Sequence, residues 1–231
     1  MHHAVLFDMD GVLVDTDRPV AEFWRKLARS DGACLTEQDL RSHVYGRSAR
    51  HTLRELFPRI PPERYGEVLD RMRENDQHQR YTAITGVLDL VRELLACGVP
   101  LALVTGAEDW KVAEVLSQLG LSGAFRTEVR AGDVPNGKPD PECYRLAAER
   151  LGVDIHRCLV FEDAVSGVAA AVTAGATCVA LVSERHRTQM LDLGAAVTVP
   201  DFSSVHYSAA EQIIHVRPDV AFPLARSGAA A

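Results

Sequence analysis

Asp8 and Asp10 follow directly on the apolar run Ala4-Val5-Leu6-Phe7, in the order Asp8-Met9-Asp10-Gly11-Val12. Thr105 and Gly106 follow Pro100-Leu101-Ala102-Leu103-Val104, and Glu162 and Asp163 follow Cys158-Leu159-Val160-Phe161. Lys138, in Gly137-Lys138-Pro139-Asp140-Pro141, stands just before an expected helix. Taken singly, each has an ordinary structural use. Asp-x-Asp-Gly suits a turn, Glu162-Asp163 the start of a helix, Thr105 a cap, and Lys138 a solvated surface. Brought to one rim, four carboxylates repel, and some would have to stay protonated. A hard divalent cation resolves that repulsion. An all-oxygen donor set suits magnesium, which keeps several waters and bridges phosphates, whereas zinc prefers His and Cys. Lys138 would add positive charge for a phosphoryl group, and Thr105 a hydrogen bond to it.

The apolar runs that precede these residues, with a fourth at Cys178-Val179-Ala180-Leu181-Val182, lack polar alternation. They read as strands buried on both faces. Helical patterns separate them over 86–96, 111–119, 141–151 and 165–174, with Gly98, Gly120, Gly152 and Gly175 at the expected helix ends. This alternation predicts a doubly wound, mostly parallel, Rossmann-like α/β sheet. In such sheets ligands bind beyond the carboxyl ends of the strands, where Asp8, Thr105 and Glu162 fall. Residues 17–82 hold no buried-strand run, only amphipathic charged stretches punctuated by Pro58, Pro61 and Pro62. The expected division is a core over 1–16 and 83–215, an inserted helical cap over 17–82, and a flexible tail over 216–231.

Of the 231 residues 47% are apolar, enough for a real core, and the formal net charge is −7. A negative surface argues against nucleic acid and anionic membranes as partners. The five cysteines, Cys34, Cys97, Cys143, Cys158 and Cys178, form no C-x-x-C pair. With no signal-peptide run or spanning stretch, they read as reduced residues of a cytoplasmic protein. His2 and His3 precede a strand too closely to be promising metal ligands.

The ordered set resembles the haloacid dehalogenase superfamily. Asp8-Met9-Asp10-Gly11-Val12 resembles its first motif, Thr105 its second, Lys138 its third and Glu162-Asp163-Ala164-Val165-Ser166-Gly167-Val168 its fourth. The resemblance implies a small phosphorylated substrate and Mg2+. It implies that Asp8 attacks phosphorus and forms an aspartyl-phosphate, with Asp10 as general acid and then base. Asp8, the Asp10 backbone carbonyl and Asp163 would hold magnesium, with Glu162 nearby or ligating. Thr105 and Lys138 would stabilise the transferring group, and Gly106 would let its backbone approach the phosphate. The insert resembles the family's helical cap, whose loop at Gly46 and Arg47 would face the substrate.

Within that family Asp10 argues against the dehalogenase and phosphonate-cleaving branches, which lack it. Two readings stay close: a sugar- or polyol-phosphate phosphatase, and a β-phosphoglucomutase-like enzyme. The mutases typically carry a His at the place of Val20 and an Arg at that of Ala49. Their absence favours the phosphatase, although Arg47 or Arg50 could replace the arginine. A binding module that has lost catalysis ranks lower, because Asp8, Asp10 and Lys138 are all retained.

Overall fold

A computed structural model of the chain describes residues 1–77 and 79–225. In chain order its elements are β1 (Ala4–Phe7), α1 (Asp17–Ser30), α2 (Glu37–His43), α3 (Ala49–Leu56), α4 (Tyr65–Asp76), α5 (Val87–Ala96), β2 (Leu101–Val104), α6 (Asp109–Leu119) and β3 (Thr127–Val129). There follow α7 (Glu142–Leu151), β4 (Cys158–Glu162), α8 (Val165–Ala174), β5 (Thr177–Leu181), α9 (Arg187–Asp192), β6 (Val197–Val199), β7 (His206–Ser208), β8 (Ile213–Arg217) and β9 (Val220–Pro223). The main sheet has the order β3-β2-β1-β4-β5-β6, and every neighbouring pair is parallel. The chain winds outward from β1 through β2 to β3, then returns to lay β4 on the other side of β1. The switch point, where open α/β sheets bind ligands, is therefore the carboxyl end of β1.

β1, β2 and β4 are buried throughout. Their lack of alternation has a simple cause: both faces of the sheet are covered. Val5 and Phe7 pack on one side with Leu90 of α5 and Val112 of α6. Ala4 and Leu6 pack on the other with Tyr144 of α7 and Val168 of α8. Phe7 stacks on Phe161 with ring centroids 5.3 Å apart, and burying each such ring contributes about 1.5–3 kcal/mol. Gly120, Gly152 and Gly175 end α6, α7 and α8 in the left-handed conformation, as their positions predict.

Helices α1–α4 lie between β1 and α5 in sequence and share an apolar cluster of their own, with Trp24, Leu27, Leu40, Leu53 and Phe57 at its centre. Trp24 packs on Phe57 at 5.6 Å. Thr36 starts α2 with a capping box closed by Asp39, and the Ser48 side chain caps α3. α4 stops at Asp76, and the Tyr81 hydroxyl donates back to Asp76 Oδ2 at 3.2 Å. The whole is the doubly wound α/β sheet with an inserted helical cap that the sequence implies.

The structure departs from the expected tail. From residue 216 the chain is ordered as far as Ala225, because β8 pairs antiparallel with both β7 and β9. Ile214, Val216 and Leu224 are fully buried in the cluster beside α5. The two ends are tied together: His2 N donates to Pro223 O and Ala225 N to His2 O, each at 2.8 Å. His2 is thus a structural residue, with its ring also bonded to Thr177 Oγ1 at 3.0 Å. The remainder of the expected tail, 226–231, lies outside the described residues. No helix among the described residues is long and apolar enough to cross a membrane.

Candidate active site

Asp8 closes β1 and is 3% exposed. Its partner comes from 130 residues away: Lys138 Nζ donates to Asp8 Oδ1 at 2.5 Å, to Glu162 Oε1 at 2.6 Å and to the Val104 carbonyl at 3.0 Å. One ammonium thus joins the ends of β1, β2 and β4. Burial pushes the Asp8 carboxyl up, to about 7; Lys138 pulls it down and Glu162 pushes it up again. Burial works against the Lys138 ammonium, but Asp8 and Glu162 hold it above its ordinary range. Lys138 therefore stays charged between its two carboxylates.

Glu162 is fully buried and fully bonded. Besides Lys138, its oxygens accept the Tyr144 hydroxyl at 2.8 Å and the backbone N–H groups of Asp163 and Ala164 at 2.9 and 3.1 Å. Asp163 is its opposite. Its Oδ1 is buried and has no hydrogen-bond partner, and burial, Glu162 and Asp8 push its carboxyl well above the usual range. A Cβ on Gly11 would overlap this carboxylate. Asp8, Glu162 and Asp163 each bring an oxygen within 4.8 Å of the others'. An orphaned buried carboxylate oxygen beside other oxygen donors fits a hard divalent cation. The oxygens of Glu162 are thus taken up by hydrogen bonds, whereas Asp163 Oδ1 stays open.

The Asp10 side chain is not part of that cluster. Its Oδ1 accepts the Thr16 hydroxyl at 2.5 Å and pairs with Lys111 Nζ at 2.6 Å. Lys111, on the first turn of α6, is 7% exposed, buried as lysines seldom are. Across from it, at the end of α4, burial pushes the Asp76 carboxyl up and Lys111 draws it down. Lys111 thus stands between the first motif and the cap. The sequence offered a weak sign of it, a cation at the apolar-periodic start of a helix; Thr16 and Tyr144 offered none.

Asp8, Asp10, Thr105 and Asp163 line a small cavity of about 70 Å3 whose other wall is made by cap residues. Val20 and Ala49 line it too. Thr105 is nearly buried, and its hydroxyl accepts from Ala107 N at 3.1 Å. Of the expected cap residues, Gly46 and Arg47 reach this cavity, whereas Arg50 lines the wider cleft of about 930 Å3 outside it. Arg47 Nη1 donates to the Lys138 carbonyl, and Ser166 Oγ donates weakly to Gly46 O at 3.3 Å. Gly46 has φ +68°, and a Cβ there would overlap Ala164 and Ser166. What closely approaches Gly106 is the backbone of Arg47 and Ser48, so here its missing side chain admits the cap loop. His43 lines neither of these cavities and stacks on His51 at 5.7 Å.

Residues 2–175 match the family model of haloacid dehalogenase-like hydrolases. The chain is 30% identical over 211 residues to validoxylamine A 7'-phosphate phosphatase of Streptomyces hygroscopicus subsp. limoneus, covering 90% of this chain and 97% of that one. It is 35% identical over 176 residues to a phosphorylated carbohydrates phosphatase of Thermotoga maritima, covering 74% and 81%. The crystal structure of β-phosphoglucomutase from Clostridium difficile superposes with a TM-score of 0.75 at 24% identity, over 86% of this chain and 91% of that one, a likeness of fold. The match spans β1 through α8 and so includes every element that carries Asp8, Thr105, Lys138 and Glu162; the chain belongs to the haloacid dehalogenase-like hydrolase family.

Proposed function

We propose that the enzyme is a magnesium-dependent phosphatase that hydrolyses a small sugar or polyol phosphate through an aspartyl-phosphate on Asp8. The observation that carries the reading is Asp8 itself, a buried carboxylate at the sheet's switch point with the Lys138 ammonium 2.5 Å away. The similarity to two sugar-phosphate-type phosphatases supports the substrate class.

A carboxylate oxygen of Asp8 attacks phosphorus as the ester P–O bond breaks. Asp10 gives its proton to the departing alkoxide. It then takes a proton from the water that attacks the same phosphorus, and the bond to Asp8 breaks to release phosphate. Lys138 and Thr105 stabilise the charge on the non-bridging oxygens. Magnesium, held by Asp8, Asp163 and the Asp10 carbonyl, would neutralise phosphate charge and align it with Asp8. Thr16 and Lys111 both engage Oδ1 of Asp10, and so they orient the carboxylate that carries this proton.

Val20 and Ala49 stand in the cavity wall where the mutases carry His and Arg. A less tightly held sugar leaves phosphorus open to water. The test is incubation with β-glucose 1-phosphate and a trace of the 1,6-bisphosphate, following glucose 6-phosphate and free phosphate separately. Net phosphate release is expected. Conversion to glucose 6-phosphate that outruns phosphate release severalfold would overturn the phosphatase reading in favour of a mutase.

A further inference from the structure

β7 and β8 lay two imidazoles side by side on the outside of the molecule. His206 and His215 are direct partners in the antiparallel register, where Cβ atoms lie about 4.5–5.5 Å apart. Their neighbours Tyr207, Ile214 and Val216 pack into the core beside α5, so strand alternation sends both histidines to the outer face. The rings stack with centroids 4.8 Å apart and planes 12° from parallel. His206 is exposed and the His215 side chain is 32% exposed, so solvent reaches both rings. The backbone beneath them is fixed, because Ile214 and Val216 are fully buried and Tyr207 N donates to Glu93 Oε2 of α5 at 3.1 Å.

Glu211, in the turn between the two strands, accepts from His215 Nε2 at 2.9 Å. That bond holds the Glu211 carboxyl below its ordinary range. An ionised carboxylate only accepts, so the His215 proton sits on Nε2 and the neutral ring keeps its lone pair on Nδ1. Among the described residues nothing hydrogen-bonds to His215 Nδ1 or to either ring nitrogen of His206. A histidine with one nitrogen held by a carboxylate and the other open has the arrangement usual for a metal ligand. Imidazole suits zinc, whereas magnesium takes oxygen. Two nitrogens on one tetrahedral zinc lie about 3.4 Å apart. The exposed His206 ring reaches that position by turning out of the stack about χ2, a broad torsion in histidine.

We infer that His206 and His215 form a zinc site, with Glu211 orienting His215 and water filling the remaining positions, and that the ion ties β7 to β8. The site is separate from Asp8, Glu162 and Asp163, which offer oxygen only. It does not depend on the reaction at Asp8. Its consequence is structural: it strengthens the sheet whose last strand is bonded to His2 at the other end of the chain.

The experiment titrates the full chain with zinc chloride by calorimetry at neutral pH. Excess magnesium occupies the carboxylates, and a Cys34→Ser background removes the exposed thiol. One zinc ion per chain is expected. Glu211→Gln weakens binding by about 10-fold or more, as loss of an orienting partner does, and His206→Ala and His215→Ala weaken it further. At free zinc about 100 times Kd, Tm rises by about 5–11 °C, and the rise is lost in His206→Ala. The same variants unfold in EDTA close to the wild-type temperature, because the rings they remove face solvent. No zinc binding by the wild type overturns the inference, as does undiminished affinity in the variant carrying both His206→Ala and His215→Ala. Zinc binding that this double variant keeps and Asp163→Asn loses places the ion at the catalytic carboxylates and overturns it too.

Discussion

Glu162 and Asp163 are neighbours with opposite surroundings, and paired substitutions separate their tasks. Glu162 accepts four hydrogen bonds, from Lys138, Tyr144 and the N–H groups of Asp163 and Ala164. In Glu162→Gln one oxygen remains. If it keeps the two backbone donors, the new NH2 group faces the Lys138 ammonium and the Tyr144 hydroxyl. Removing one partner of a buried ion pair costs about 3–5 kcal/mol. For a chain of this size each kcal/mol moves Tm by about 2–4 °C, so the expected fall is about 6–20 °C. Asp163→Asn instead neutralises a buried carboxylate with an orphaned oxygen, pushed up by burial and by both acidic neighbours. Its Tm in chelator should equal or exceed the wild type's, while the magnesium needed for half-maximal activity rises by at least about 10-fold, a loss seen even for residues one shell further out. The assays are thermal unfolding in EDTA and a magnesium titration of p-nitrophenyl phosphate hydrolysis. If Glu162→Gln keeps its Tm and raises the magnesium requirement more than Asp163→Asn does, the division of labour argued here is wrong.

Three further outcomes follow from the same geometry. Lys111→Met, which frees Asp10 from its 2.6 Å partner, should lower kcat for an alkyl phosphate by about 10–100-fold, part of the roughly 10²–10⁴ that a positioned acid contributes. It should lower p-nitrophenyl phosphate turnover less, because nitrophenolate leaves without a proton; equal losses would contradict the role. Leu224→Ala should destabilise the fold by about 2–5 kcal/mol in urea unfolding, since Leu224 is fully buried; a change under about 0.5 kcal/mol would return this segment to the status of a tail. Burial and the charge of Arg47 lower the His51 pKa to about 4, so the folded protein holds this ring neutral. The sign is that of a depressed group: its stability is whole above the unfolded value of 6.5 and is lost as pH falls toward about 4. His51→Gln should flatten Tm against pH in that window, and an unaltered slope would show the ring to be solvated.

The sheet and the motif residues were legible because β1, β2, β4 and β5 are buried on both faces, and that writes apolar runs into the chain. β3, Thr127–Val129, and β6, Val197–Val199, are three-residue edge strands and leave too little pattern to read. β8 does alternate, with Ile214 and Val216 inward and Ile213, His215 and Arg217 less buried. Pro218 and Pro223 disguised it, although proline is tolerated at a sheet edge such as β9. At the site, Asp8, Thr105, Glu162 and Asp163 end or follow a recognisable strand, and Lys138 precedes a recognisable helix. Lys111, Thr16 and Tyr144 act through their contacts, from Lys111 and Thr16 to Asp10 and from Tyr144 to Glu162. Such pairings leave no spacing in the sequence. The division of roles between Glu162 and Asp163 was equally hidden, since two adjacent carboxylates look alike until their hydrogen bonds are known.

The central claim is that Asp8 carries the phosphoryl group, and its most direct measurement is to catch that group in place. The enzyme is mixed with magnesium and a saturating sugar phosphate and quenched in acid within milliseconds, where acyl phosphates persist. It is then digested and its peptides are analysed by mass spectrometry. A phosphoryl group on the peptide that contains Asp8, gaining and losing label at the rate of turnover and absent from Asp8→Asn, is the predicted result. Phosphate release at full rate with no phosphorylated Asp8 peptide at any quench time, or turnover retained by Asp8→Asn, would contradict it.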